Sequence, residues 1–586
     1  MRLEEYWGVG PKTRETLEAE LGVERAVRAI ESGDVRTLSE AGLPRGRATR
    51  ILRRSLGGDG MELLATADAR QAYKELLGLA ADHAVTERAG DRIRVLTPLT
   101  SREAMEARLD AVDAAREAWA GLPEDDREAV LAAYERYDDR EGSERAAVEA
   151  AVALLEAGIS EGPFESVATL DRAELEAAAS ALAALEGDRV GEGVDAELDR
   201  LRGTLAAVED LSADSRSLVS ELREGGVRGI DRFREAFEDR LLADVEATVE
   251  EVRAAMPEDA TDAADFVETT LRALASSLRT AVDEREAAVA AELEATVADS
   301  REAIDRAVEA VDAIAFELSL ARFALAYDCR RPTLLDDEAL TLSVVDARNL
   351  TLEGVETVQP VSYGLGDHDL EERDLGGEPP GSERVAVLTG ANSGGKTTLL
   401  ETLCQIVLLA SMGLPVPAER AALTPVDSLV FHRRHASFNA GVLESTLRSI
   451  VPPLAGSERT LTLVDEFEAI TEPGSAADLL HGLVTLTVDR GAMGVFVTHL
   501  ADDLEPLAPA ARVDGIFAEG LNPDLELVVD YQPRFHTVGR STPEFIVSRL
   551  VANATDRAER AGFETLARAV GQEAVQRTLA DARWSE

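Results

Sequence analysis

Gly390-Ala391-Asn392-Ser393-Gly394-Gly395-Lys396-Thr397 fits the pattern G-x-x-x-x-G-K-[ST]. In that pattern the glycines let backbone N–H groups turn inward around phosphate oxygens, the lysine ammonium reaches the β- and γ-phosphates, and the following hydroxyl holds Mg2+. These eight residues, with Thr398 after them, are expected to bind the phosphates of ATP. Lys396 is expected to serve catalysis as well as binding, and Thr397 to hold the metal. Against a chance glycine-rich turn stands the setting: Arg384-Val385-Ala386-Val387-Leu388 reads as a buried strand, and Thr398-Leu399-Leu400-Glu401-Thr402-Leu403 opens a helix whose N-terminus faces the phosphates.

Two further stretches supply partners for that loop. Leu461-Thr462-Leu463-Val464-Asp465-Glu466 is an apolar strand ending in two carboxylates, about 70 residues downstream. Asp465 is expected at Mg2+, directly or through water, and Glu466 at the attacking water, which it orients and deprotonates. Alone, such a strand end is equally an exposed acidic corner; the phosphate loop gives the pair its meaning. Val495-Phe496-Val497-Thr498-His499 is another strand, and of the seven histidines His499 alone falls at such an end. A lone histidine is more often a bystander, but one at the carboxyl edge of this sheet can touch the γ-phosphate or the lytic water.

The elements that must position these groups follow from patterning. From Leu340 to about 550, strand and helix signals alternate, which predicts a parallel or mixed sheet with helices on both faces, here a P-loop ATPase domain over 336–550. Before it, residues 59–335 are Ala-, Glu- and Arg-rich with apolar residues at helical spacing. They are expected to form extended helical arms, with 262–326 as one or two long helices; an ordinary helical bundle is the alternative. Residues 551–586 are expected to be a helical dimerisation element. The fold class is thus multidomain, α and α/β.

Residues 1–58 form a separate small unit. Gly8-Val9-Gly10-Pro11-Lys12-Thr13 and Gly42-Leu43-Pro44-Arg45-Gly46-Arg47 repeat one arrangement between short helical patterns, resembling a tandem helix-hairpin-helix domain. Such hairpins present backbone N–H groups to DNA phosphates without reading bases. Gly8, Gly10, Lys12, Gly42, Arg45, Gly46 and Arg47 are the expected DNA contacts. From Ala41 to Arg54 the chain has Arg45, Arg47, Arg50, Arg53 and Arg54 and no acid, a contrast with its surroundings. A pair of ordinary helical corners is the plainer alternative.

Composition bounds the rest. The 586 residues suggest roughly four domains at about 150 residues each. A formal charge of −51 comes from 112 acidic against 61 basic residues, and of the latter only Lys12, Lys74 and Lys396 are lysines. Acid excess spread through nearly every segment, with arginine replacing lysine, predicts a halophilic protein; a GC-rich genome with an acidic interaction surface is the alternative. An acidic total would normally argue against nucleic acid, but if it is a solvent adaptation only local basic patches inform. Cys329 and Cys404 suggest neither a disulfide framework nor a metal cluster. With no run of about 18 apolar residues and no signal-like start, a cytoplasmic, nucleoid-associated protein without membrane contact is expected.

Gly390 to Thr398, the Asp465-Glu466 strand and the Thr498-His499 strand together resemble the ATPase domain of the MutS family, a branch of the ABC-type ATPases. Asn392 matches that family's phosphate-loop asparagine. Thr471-Glu472-Pro473-Gly474-Ser475-Ala476-Ala477 looks like its dimer-interface loop, and Val416-Pro417-Ala418 like the segment after its first helix. Leu325-Ala326-Tyr327 and Asp346-Ala347-Arg348-Asn349 resemble the end of its lever helix and the start of its ATPase domain. The motifs are specific over about 320–550, and the resemblance extends in outline over 60–320. There are departures: no segment fits the family's N-terminal mismatch-reading domain or its connector domain, Asn439 falls where the loop reaching the partner's ATP normally carries serine, and no nuclease-like domain is expected after 550.

The resemblance implies an ATPase that uses ATP and Mg2+, hydrolyses ATP to ADP and phosphate, binds DNA and works as a homodimer. Clamping of branched or recombining DNA is the expected activity, since the hairpins address backbone rather than bases. The alternatives are a mismatch-binding repair ATPase whose reader is a separate protein, and a structural chromosome ATPase, which would need longer arms than about 275 residues supply. A transporter ATPase is disfavoured by the hairpins.

Overall fold

Two glycines with positive φ, Gly8 at +81° and Gly42 at +91°, set the two turns of the N-terminal segment in the computed structural model. It describes residues 3, 6, 8–31, 33–186, 189–224, 229–336, 340–352, 358–375, 377–390, 395–434, 440–456, 459–470, 473–522, 524–539 and 543–584. The chain divides into two units: residues 1–131, 161–163 and 312–586, and residues 132–160 and 164–311.

In the first unit, the turns lead into helices Pro11–Glu20 and Arg45–Gly57, with Gly22–Glu31 and Val35–Glu40 between them. Pro11 opens its helix at a position where a missing N–H costs nothing. Asp34 caps the third helix by accepting from Thr37 N at 2.9 Å. Val9, Leu17, Ile30, Leu38, Leu43 and Ile51 close a small core, joined by Val95 from beyond the segment.

Helices Ala67–Ala81, Glu87–Arg94 and Arg102–Gly121 follow. Each begins at a Thr or Ser whose side chain accepts from the backbone three residues on, relieving the unpaired first-turn N–H groups. Tyr73, Leu76 and Leu77 of the first are buried in one core with Leu403, Val407, Leu429 and Phe431. Residues 59–131 and 312–335 therefore lie in the same compact unit as the sheets. A helical period shows that one face is buried; it does not say against what.

The second unit is almost wholly helical. Leu198, Leu201, Phe237, Phe266, Leu271 and Leu274 are buried in its core, and a short antiparallel pair, β1 (Leu185–Glu186) and β2 (Arg189–Val190), lies beside them in sequence. The stretch 262–326 contains two long helices, Ala263–Asp299 and Arg301–Ala326, separated at Ser300. Asp262 starts the first by accepting from the N–H groups of Ala264 and Asp265.

The remaining strands are β3 (Thr333–Leu334), β4 (Thr341–Ala347), β5 (Val361–Gly366), β6 (Val385–Gly390), β7 (Arg420–Leu423), β8 (Ser428–His432), β9 (Thr460–Asp465), β10 (Met493–Val497), β11 (Ala511–Leu521) and β12 (Leu527–Arg534). A six-stranded sheet has the order β12-β11-β6-β10-β9-β8, parallel from β11 to β8 with β12 antiparallel at its edge. A four-stranded sheet has the order β3-β7-β4-β5. Every residue of β6, β8, β9 and β10 is buried, as expected for strands covered on both faces. The register sets Val497 beside both Leu388 and Asp465, so β6, β9 and β10 end level at one edge of the sheet. In open parallel sheets that carboxyl edge is where ligands bind.

The tail is helical, with Pro543–Asn553, Arg557–Val570 and Gln572–Trp584 around Val547, Val551, Ala567 and Val575.

Candidate nucleotide-binding site

The site begins where β6 ends. Gly390 has φ +135°, and a Cβ there would meet the Ile516 carbonyl oxygen at 2.3 Å, so only glycine lets β6 and β11 approach so closely. Ala391, Asn392, Ser393 and Gly394 lie outside the described residues. Gly395 follows with φ +76° as the N-cap of the helix Lys396–Ser411. That helix is anchored by a nearly continuous apolar surface including Leu399, Leu400, Leu403 and Val407. Thr398, in its first turn, accepts through its carbonyl oxygen from Asn349 Nδ2 at 3.3 Å.

Lys396 is buried, and its Nζ donates to the Gly390 carbonyl oxygen at 2.8 Å, spanning the mouth of the loop. Burial holds the ammonium below its usual range, against the pull of Glu466, Asp465 and Glu468. Thr397 Oγ1 donates to Asp465 Oδ2 at 2.7 Å. Asp465 is buried at the end of β9; burial pushes its carboxyl up, and the Thr397 bond opposes the shift. Its Oδ1 is buried without a hydrogen-bond partner among the described groups. An unmatched carboxylate oxygen beside a hydroxyl is the donor set that a hard, oxygen-seeking cation takes, so these two residues fit Mg2+.

Glu466 stands just outside β9 with φ +42°, a left-handed conformation that costs a non-glycine residue about 1–2 kcal/mol. Its N–H donates to the Val497 carbonyl at 3.0 Å, which fixes the turn. The side chain is held from two sides: His499 Nε2 lies 3.2 Å from Oε1, and Arg434 Nη1 lies 2.8 Å from Oε2. Glu468 in turn accepts from Thr498 Oγ1 at 2.9 Å and from the His499 N–H at 2.7 Å, so it orients the end of β10.

Lys396, Thr397, Asp465, Glu466 and His499 are therefore brought together from three strand ends. Sequence reasoning did not single out Glu468, Arg434 or Tyr531. Glu468 had a signal, the second acid of Asp465-Glu466-Phe467-Glu468. Arg434 lies in a segment with no motif. Tyr531, on β12, is visible only in the fold: a Cβ on Gly395 would meet its Cδ1 at 2.6 Å, so the half-exposed ring lies over the phosphate-loop glycine. Tyr531 N donates to Gln359 Oε1 at 3.3 Å, and Asp530 accepts from Gln359 Nε2 at 3.1 Å, fixing that part of β12.

Beside the site, a buried ion pair within β11 ties that strand to β5. Arg512 Nε lies 3.0 Å from both Asp514 oxygens, Tyr363 OH donates to Asp514 Oδ2 at 2.7 Å, and Arg512 Nη2 donates to the Gly364 carbonyl at 2.6 Å. The Asp514 carbonyl accepts from Thr389 Oγ1 at 2.9 Å, one residue before Gly390.

The expected DNA contacts sit elsewhere in the unit. Gly8 and Gly42 are turn glycines, Gly10 caps Pro11–Glu20, Lys12 is in its first turn, and Arg45, Gly46 and Arg47 begin Arg45–Gly57. Arg47 Nη2 donates to Thr13 Oγ1 at 2.7 Å, linking the two hairpins. Arg45 pairs with Asp91, and Arg53 Nη2 donates to the Arg94 carbonyl at 2.7 Å, so part of this basic cluster is spent on holding the helix Glu87–Arg94. Asn439, Thr471 and Glu472 lie outside the described residues. Among the described residues no helix is long and apolar enough to cross a membrane.

The family model for MutS domain V matches residues 386–502. The chain is 47% identical over 212 residues, 36% of its own length and 36% of the relative's, to the DNA-binding protein MutS2 of Pyrococcus furiosus. It is 30% identical over 299 residues to the DNA mismatch repair protein MutS of Erythrobacter litoralis, covering 48% of this chain and 32% of that one. It is 28% identical over 217 residues to the endonuclease MutS2 of Thermomicrobium roseum, covering 35% and 26%. The chain thus spans about a third of the length of the curated relatives it matches. The matched stretch opens on the strand that feeds Lys396 and closes just past His499, so the residues that converge in space are those that carry the similarity to MutS domain V.

Proposed function

We propose that the chain is a MutS-like ATPase that couples hydrolysis of ATP, to ADP and phosphate, to clamping of branched or recombining DNA as a homodimer. The carrying observation is the convergence of Lys396, Thr397, Asp465, Glu466 and His499 at one edge of the parallel sheet. Lys396 and the loop N–H groups bind and orient the β- and γ-phosphates. Thr397 and Asp465 would hold Mg2+, which neutralises phosphate charge when bound. Glu466 positions the attacking water and takes its proton, His499 holds Glu466 in place, and the Tyr531 ring offers a stacking surface for the base.

DNA binding is supported by the helix-hairpin-helix segment. First-turn N–H groups at Pro11–Glu20 and Arg45–Gly57 and the cations Lys12, Arg45 and Arg47 address phosphates, which position a protein without specifying sequence. The name DNA-binding protein borne by the Pyrococcus relative agrees with this. We read the tail helices as a dimerisation element, the helical stretch between hairpins and sheets as lever and clamp, and the acid excess as adaptation to high salt, in a cytoplasmic, nucleoid-associated protein. Mismatch repair is the second reading, favoured by similarity to mismatch repair proteins over nearly half of the chain. Competition between a duplex with one mismatch and a four-way junction of equal length, at high salt, separates the two. The proposal expects the junction to win, because its backbone path costs less to deform; clear preference for the mismatch, with no added protein, establishes the second reading instead.

A further inference from the structure

Arg433 and Arg434 leave the end of β8 side by side and do opposite things. Arg433 is clamped: Nη2 lies 2.9 Å from Glu75 Oε2, Nε lies 3.0 Å from Glu401 Oε1, and its N–H donates to Asp68 Oδ2 at 2.9 Å. Arg434 reaches the other way. Its side chain is 55% exposed, with Nη1 2.8 Å from Oε2 of Glu466, whose side chain is only 10% exposed. A solvated guanidinium thus rests its tip on the carboxylate that is to accept the proton.

The arrangement is inhibitory as it stands. Oε2 is occupied by the guanidinium and Oε1 by His499 Nε2, so both oxygens that could take hold of a water already have partners. An ion pair whose arginine is half in solvent is weak, and a better anion displaces it easily. A γ-phosphate is such an anion: it carries more charge than a carboxylate, and its oxygens match the guanidinium fork. It would be gripped by Lys396, which opens the helix after β6.

We propose that Arg434 is a triphosphate sensor, held on Glu466 when no γ-phosphate is present and drawn onto the γ-phosphate by ATP, which releases Glu466 to the lytic water. In the step that follows, the water oxygen bonds to the γ-phosphorus, the bond from that phosphorus to the bridging oxygen breaks with its electron pair leaving on ADP, and the water proton passes to Glu466. ADP has no γ-phosphate, so Arg434 returns to Glu466. The inference rests on the ATPase reading of this site and adds to it a residue that tells ATP from ADP.

The test measures equilibrium binding of ADP and of β,γ-imido-ATP, with Mg2+ at fixed salt, to the full chain and to its R434A and R434K variants, together with ATP turnover. R434A is expected to weaken the triphosphate analogue about ten-fold or more and to leave ADP within about two-fold. Turnover should fall about 10–100-fold. R434K should recover part of the triphosphate preference, since it keeps the charge and loses the fork. Equal weakening of both nucleotides, no change in either, or faster turnover in R434A would each overturn the inference while leaving the ATPase reading intact. A parent protein that binds neither nucleotide would sink both.

Discussion

Thr397 Oγ1 and Asp465 Oδ2, 2.7 Å apart, tie the first turn of the helix after β6 to the end of β9. The bond points an otherwise unpartnered Asp465 oxygen into the same space as the hydroxyl. Asp465→Asn keeps the shape and removes the charge. The Mg2+ concentration giving half-maximal ATP turnover is expected to rise by about ten-fold or more; an unchanged Mg2+ dependence would take Asp465 out of the metal site.

The same carboxyl has a pH signature. Burial raises it above the ordinary value of 3.8, so between 3.8 and the raised value the folded protein holds a proton that the unfolded chain has lost. Its contribution to stability is therefore fully present below 3.8 and declines as pH rises through that window. In metal-free protein, Asp465→Asn should gain stability relative to the parent as pH rises above 3.8, read from urea midpoints across a pH series. A difference that stays flat would contradict the burial argument.

Glu466→Gln retains the shape but not the base. ATP is expected to bind and persist, and the variant to accumulate as an ATP-dependent dimer in sedimentation with Mg2+. A monomer under every nucleotide condition would count against sites shared between two chains.

Lys12 and Arg50 are exposed in the hairpin segment. Replacing each with glutamine should weaken binding to all DNA forms alike and lower the slope of log affinity against log salt by about 0.9 per residue. Loss confined to one DNA structure would show that these residues read shape instead.

Contiguous motifs were legible before folding, because residues 390–397, 461–466 and 495–499 each carry their own strand or helix signal. What joins distant segments was not. The Thr66 hydroxyl donates to the Phe431 carbonyl at 2.6 Å and accepts from the Phe431 N–H at 3.1 Å, and this places the helix Ala67–Ala81 on β8 rather than among clamp helices. Arg434 and Tyr531 likewise acquire meaning only through where β8 and β12 end up.

The brace beside the site is another such feature. Asp514→Ala would leave the buried Arg512 without its near carboxylate, with only Glu383 at 3.8 Å, at a cost of up to about 3–5 kcal/mol. The double variant carrying D514L and R512M removes both charges and fills the space with apolar side chains, so it should recover most of that loss. Urea unfolding of the parent and the two variants checks this; a D514A protein as stable as the parent would mean that the pair contributes nothing to holding β11 against β5.

Everything proposed for the site depends on Lys396, held against the Gly390 carbonyl, acting as the phosphate grip of an ATPase. The direct measurement is phosphate release and ATP binding by the full chain and by Lys396→Ala, side by side at the salt concentration where the parent is most stable. The parent is expected to show Mg2+-dependent hydrolysis, and the variant greatly weakened ATP binding with no hydrolysis. Undiminished turnover in Lys396→Ala would contradict that role.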